Sequence, residues 1–192
     1  MELVPCAAED ITLTQALECD PIVMKELGGP MPKERIPQIH SKRLKKMAEG
    51  SCWWFKVVPK TVSDAVGTVV LWDSEYHGKP INEIGWMILP AFQGRGYASA
   101  AVRLVLNKAK AEQRFSPLHA FPGITNAASN AICRKAGFVQ FEECDIDYAG
   151  RSLRCNHWRI DLRDSADAGD GASFNARPGK NCLPEPRLGS FP

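Results

Sequence analysis

The sequence predicts an α+β fold: a mixed, mostly antiparallel central sheet flanked by helices, with one β-α-β crossover. Three observations predict it. Strand-like segments at 52–58, 65–72 and 81–89 follow one another across short turns, which is the pattern of an antiparallel meander. A glycine turn, Gln93-Gly94-Arg95-Gly96-Tyr97-Ala98, then opens a helical stretch at 99–113 that leads to a short strand at 115–121. A second helical pattern at 126–136 and a hairpin at 138–162 close the ordered part.

Each element has its local reason. Leu3 and Val4 start a strand that Pro5 confines to an edge. Residues 9–19 carry a weak helical pattern through Ile11, Leu13, Ala16 and Leu17. Asp20-Pro21 reads as an N-cap with proline at the first helical position. Ile22, Val23, Met24 and Leu27 form its expected buried stripe, and Gly28-Gly29-Pro30 the stop. A basic amphipathic helix is expected at 32–48, with Lys33, Arg35, Lys42, Arg43, Lys45 and Lys46 on a solvated face. Trp53 and Trp54 sit on one strand, so alternation sends one inward and one outward. Residues 73–80 read as a loop. The helix after the glycine turn buries Ala101, Val102, Val105, Leu106 and Ala109, and Gly137 ends the next helix. Strands on both sides of Ala149-Gly150 make the hairpin. From residue 164 onward Asp, Gly, Ala, Ser and Pro dominate and periodicity vanishes. The expected organisation is one domain over 1–163 and a disordered tail over 164–192.

Bulk properties exclude several classes. A chain of 192 residues suits one well-buried domain. A formal charge of +2, with scattered lysines and arginines, argues against a nucleic-acid partner. No apolar run has the length of a membrane span. The seven cysteines contain no Cys-x-x-Cys pair, and the N-terminus lacks a signal-peptide pattern. Reduced thiols in a cytoplasmic protein without a metal are therefore expected. Oligomeric state is open, a homodimer included.

The glycine turn is the stretch with chemical promise. Two near-adjacent glycines let backbone N–H groups converge, and the following helix adds its unpaired first-turn donors and positive dipole end. Such a device takes phosphate, most naturally a diphosphate, and Arg95 adds a planar cation. A P-loop would need Gly-Lys-Ser/Thr, which is missing. A dinucleotide fingerprint would need Gly or Ala where Ser99 stands. An ordinary surface turn entering a helix is the competing reading.

Gln93, Gly96 and Ala98 also meet the signature Gln/Arg-x-x-Gly-x-Gly/Ala, so the stretch resembles the coenzyme A loop of the GNAT superfamily of N-acetyltransferases. Asn126 through Phe138, an Asn, an Ala/Ser-rich helix and a terminal Gly-Phe, resembles the second hallmark of that superfamily. Asp20-Pro21 leading to Leu27-Gly28-Gly29-Pro30, and the hairpin ending in Trp158, are similar to its ribosomal-protein alanine acetyltransferase-like branch. The likeness spans about residues 3–162.

The resemblance implies acetyl-CoA as cosubstrate and an amine acceptor, a small molecule or a peptide N-terminus. It assigns the diphosphate to Gln93, Gly94, Arg95, Gly96, Tyr97 and Ala98, the pantetheine arm to the backbone of Trp86, Met87 and Ile88, and a hydrogen bond to Asn126, assisted by Ser129. Glu83 matches the position of the base in some branches; a solvated strand-end residue is the alternative. A second family position for a base holds Phe121, so Asp73 and Glu75 are the fallback. Where many members carry a tyrosine acid this chain has Cys133, which is either the thiolate's proton donor or a small core residue. His119 is expected near the cleft, as a base, an acceptor contact or a structural histidine. A protein of the same fold that binds acyl-CoA without turnover is the rival function.

Overall fold

The computed structural model describes residues 1–148 and 150–163; the tail expected at 164–192 lies outside the described residues. The strands are β1 (Glu2–Pro5), β2 (Cys52–Val58), β3 (Gly67–Tyr76), β4 (Lys79–Ile88), β5 (Leu118–Ala120), β6 (Val139–Tyr148) and β7 (Arg151–Ile160). The helices are α1 (Ile11–Glu18), α2 (Ile36–Ala48), α3 (Tyr97–Ala111) and α4 (Ala127–Lys135). The strands make one sheet in the order β1-β2-β3-β4-β5-β7-β6. Every neighbouring pair is antiparallel except β4 and β5, which are parallel and joined through α3. The expected crossover is therefore present. β7 sits between β5 and β6, an order for which the sequence carries no local signal.

Helices pack on both faces of the sheet, and strand alternation divides the side chains between them. One face carries the main core, in which Phe55, Val57, Val69, Leu71, Ile84, Ile88 and Leu118 meet the apolar stripe of α3 and Cys133 of α4. The other carries smaller cores, one of them Cys144, Ile146 and Cys155 on β6 and β7. Trp54, Val70 and Trp72 lie beside Leu44 and Met47 of α2, while Leu17, Met24, Met87 and Tyr148 cluster at the α1 side.

Three expectations about local structure are corrected. Residues 20–27 are a capped turn and a short 3-10 segment (Lys25–Leu27) in place of a helix. Asp20 does cap it, its Oδ1 accepting from the N–H groups of Ile22 and Val23 at 2.8 and 2.9 Å. The segment is too short to sustain a helical ladder before left-handed Gly28 ends it. Ile22, assigned to the buried stripe, is 61% exposed. Residues 73–80 continue the strands, because His77-Gly78, both at positive φ (50° and 71°), make a two-residue hairpin turn. Arg43, assigned to a solvated face, is buried with Nη2 2.6 Å from Glu18 Oε1, joining α2 to α1.

Candidate active site

The parallel pair β4–β5 decides where a ligand can enter. It is in register at only two positions, Asn82 with Leu118 and Glu83 with His119. Beyond Glu83 the two strands part, and among the described residues no strand pairs with the second half of β4 on that side. The backbone there follows a strict alternation. Leu89 N–H donates to Val66 O, and the two-residue turn closes on Tyr76 and Lys79, so Glu83, Gly85 and Met87 bond to β3. The N–H and C=O groups of Ile84, Trp86 and Ile88 face the opening, and Gln93 Nε2 donates to Ile88 O from that side at 2.9 Å. Of the three residues expected to hold the arm, Trp86 and Ile88 therefore offer backbone, whereas Met87 contributes its side chain to the wall.

The opening is a cleft of about 550 Å³. Along it lie Glu83 to Ile88 of β4, the loop before α3, Phe121 to Gly123, the start of α4, and the 22–27 segment. Gly94 and Gly96 adopt φ of +72° and +79°, a region that side chains strain to enter, and among the described residues, flanking neighbours aside, no atom lies within 4 Å of where a Cβ would stand. The first hydrogen bond of α3 runs from Ala100 N–H to Gly96 O, so the N–H groups of Tyr97, Ala98 and Ser99 precede its ladder. Open space over two glycines, bare helix donors and an unpaired strand edge fit a diphosphate with an amide-bearing arm. Tyr97 and Ala98 line this cleft, whereas Arg95 does not: its guanidinium carbon sits 5.4 Å over the Phe92 ring. Gln93 is tied to the loop itself.

Asn126 caps α4, its Oδ1 accepting from Ser129 N–H at 3.0 Å, and both residues line the cleft. The neighbouring Asn130 went unremarked in the sequence. Its Nδ2 donates to Gly123 O and Asn126 O, and its Oδ1 accepts from Asn156 Nδ2 and Trp158 Nε1, all within 2.9 Å. One buried amide thus holds the wall from β5 to α4 against β7. The Asn-x-x-x-Asn spacing was its only trace in the sequence. Gly67 was missed in the same way. A Cβ there would stand 2.1 Å from Met87 O, so glycine is what lets the end of β4 come this close to β3.

Glu83 sits where the strands part, 7% exposed, on the face opposite Ile84 and on the cleft wall. Burial first, then Glu18 for the phenol and Cys144 for the thiol, with the charge of Glu83 behind them, hold Tyr148 and Cys155 well above their ordinary values. Asp73, by contrast, lies exposed on β3, where it accepts from Asn82 Nδ2, and neither it nor Glu75 lines the cleft. Cys133 is fully buried in the main core and absent from the cleft wall; burial pushes its thiol up to about 12. Of the two readings open for Cys133, its placement favours the core residue. His119 stands beside Glu83 on β5, with Nδ1 2.7 Å from His157 Nε2. Burial, with the charges of His157 and Arg159, pushes His119 down to about 4. Among the described residues no group of three His, Cys, Asp or Glu could hold a metal, and no helix is long and apolar enough to cross a membrane.

Comparison with known proteins agrees with this geometry. The family described as acetyltransferase (GNAT) domain matches residues 1–139. No curated protein matches the chain. Among solved structures, a GNAT-family acetyltransferase from Bacillus anthracis is 21% identical, with 83% of this chain and 93% of that one covered at a TM-score of 0.67. A spermidine N-acetyltransferase from Vibrio cholerae, in complex with CoA and spermine, is 16% identical over 84% and 95% at 0.70. A ribosomal L7/L12 alpha-N-protein acetyltransferase in complex with coenzyme A is 16% identical over 83% and 92% at 0.68. Identities this low speak to the fold, while the family match covers most of the sequence. The chain belongs to the GNAT acetyltransferase family.

Proposed function

We propose that this protein is an acetyl-CoA-dependent N-acetyltransferase whose acceptor is a primary amine, on a small molecule or a peptide N-terminus. The observation that carries the proposal is the parting of β4 and β5. One continuous cleft joins a phosphate-type loop, an unpaired strand edge and a buried carboxylate. The solved neighbours whose descriptions name an amine, spermidine N-acetyltransferase and the ribosomal alpha-N-protein enzyme, are consistent with that acceptor class.

Acetyl-CoA supplies an activated acyl group, and the chain's own residues do the rest. N–H groups of Gly94 to Ser99 take the diphosphate, with Asn126 Nδ2 and Ser129 beside the arm. The edge groups of Trp86 and Ile88 pair with the arm's amides as a short added strand. An N–H on that edge also steadies the negative charge that grows on the carbonyl oxygen as the amine attacks, commonly the largest single contribution to rate. An alkyl ammonium with a pKa of about 10 attacks nothing at neutral pH until its proton is removed. Glu83, buried on the cleft wall, is the carboxylate that this reading assigns to that task. Cys133 is left out of the chemistry, and the CoA thiolate leaves without a dedicated acid from that position.

Thiol release from acetyl-CoA, measured against a panel of amines and peptides, tests the reading. Turnover is expected with at least one primary amine. Saturable CoA binding with no turnover on any acceptor would favour the binding-only protein. In the Glu83→Gln variant turnover is expected to fall by about 10²-fold or more with CoA affinity unchanged.

A further inference from the structure

A hydrogen-bonded chain leads away from Glu83 on the side opposite the cofactor loop. Glu83 and His119 are register partners on adjacent parallel strands, and both point to the face opposite Ile84 and Leu118. Their backbones are thus about 4.8 Å apart with side chains abreast. His119 Nδ1 lies 2.7 Å from His157 Nε2, and His157 Nδ1 lies 3.3 Å from Glu142 Oε1. Glu142 Oε1 also accepts from Tyr76 Oη at 2.9 Å. The two imidazoles are stacked with centroids 5.0 Å apart, and Phe121, a cleft residue, stacks on His157 at 4.6 Å.

The direction of every bond follows from one end. A carboxylate only accepts, so His157 carries its proton on Nδ1 and donates to Glu142. His157 Nε2 is then an acceptor, and His119 must donate to it from Nδ1. His119 Nε2 is left without a proton, and among the described residues it has no protein partner. We propose that His119 is a positioning residue for the base: its proton-free Nε2, set by His157 and Glu142, accepts a hydrogen bond from Glu83 once that carboxyl holds the acceptor's proton. The proton moves from the acceptor nitrogen to a Glu83 oxygen, and that O–H then points at Nε2; no other bond changes. A hydrogen bond made only by the protonated carboxyl raises its affinity for protons and makes Glu83 a stronger base. The depressed basicity of both imidazoles is in keeping with this, since a charged His119 would have no lone pair to offer.

The titratable and charged groups around the chain come from four strands. Tyr76 on β3 and His77 in its turn, Glu83 on β4, Glu142 and Tyr148 on β6, and Cys155 and Arg159 on β7 all face it. Glu18 and Arg43 act on Tyr148 from the helix side. Glu142 is the partly exposed member, so it can be changed without disturbing the core.

The inference rests on Glu83 being the base, and the experiment separates the two. The ¹⁵N shifts of the His119 imidazole in the wild-type protein report its tautomer directly; a bare Nε2 is expected. In Glu142→Ala the chain loses its anchor, and a proton is expected to appear on Nε2. That N–H stabilises the ionised Glu83 instead, so the acid limb of kcat/KM should move to lower pH and plateau kcat should fall about fivefold to tenfold, with KM for acetyl-CoA unchanged. Glu143→Gln removes the same charge from the same strand, where Glu143 pairs with Arg154, and should leave the profile in place. A protonated Nε2 in the wild type, or equal profiles for Glu142→Ala and Glu143→Gln, overturns the inference. Full turnover in Glu83→Gln overturns the assignment of the base, whatever the tautomer.

Discussion

At the scale of single residues, Cys133 shows how a motif position and its surroundings can disagree. Its place in the α4 pattern invites a catalytic role, yet the thiol is fully buried among core residues. Cys133→Ala should leave kcat within about twofold of wild type while lowering stability by about 1–2 kcal/mol, as read by urea denaturation beside steady-state kinetics. Gly96 makes the opposite case. At φ +79° with open space above it, Gly96→Asp strains the backbone and sets a carboxylate where a diphosphate would bind. Isothermal titration should show CoA affinity lost with the fold retained, and unchanged affinity would reduce the loop to a turn. Glu83 was legible as a position in the sequence, but its burial was not. Burial depends on Trp72 of the hairpin partner on one side and on His119, which arrives only after α3, on the other.

At the scale of elements, most of the architecture could be read because each piece carries its own signal. The strand at 52–58 matches β2, and the Asn126 cap and Gly137 stop bracket α4. Errors arose where a local signal was real but its consequence was set by geometry. Asp20 does cap, yet eight residues before Gly28 yield a turn. His77-Gly78 is a hairpin turn without the Asn-Gly or Asp-Gly wording that announces one. Pro80 disguised the strand further, although its missing N–H faces the side of β4 that β5 does not reach. Gly67 is the test at this scale. Gly67→Ala drives a methyl into Met87 O, so β4 must shift at the residues that border the cleft. KM for acetyl-CoA should rise at least tenfold and the melting temperature should fall by several degrees.

At the scale of the whole molecule, two helices on one face are tied to each other by a buried ion pair beside the buried Thr14–His40 hydrogen bond. Glu18 and Arg43 sit 2.6 Å apart, each almost wholly shielded, with the guanidinium 5.3 Å from the Trp54 ring. Arg43→Ala strands the carboxylate in the interior and should cost about 3–5 kcal/mol, whereas replacing both partners by apolar residues of similar volume should cost far less. Chemical denaturation of the single and double variants gives the comparison. Such a pairing is invisible in the sequence, since Arg43 lies in a run of cations that reads as a solvated stripe.

The short β5 has a last consequence for how the molecule responds to its donor. A sheet whose fourth and fifth strands join for only two residues is unzipped through half its height. An arm lying along Trp86 and Ile88 would finish that seam, so loading should slow amide exchange on both sides of it and harden the protein against heat. On the proposed function the protein would then be most rigid while loaded and loosest after release, with acetyl-CoA serving briefly as part of the scaffold.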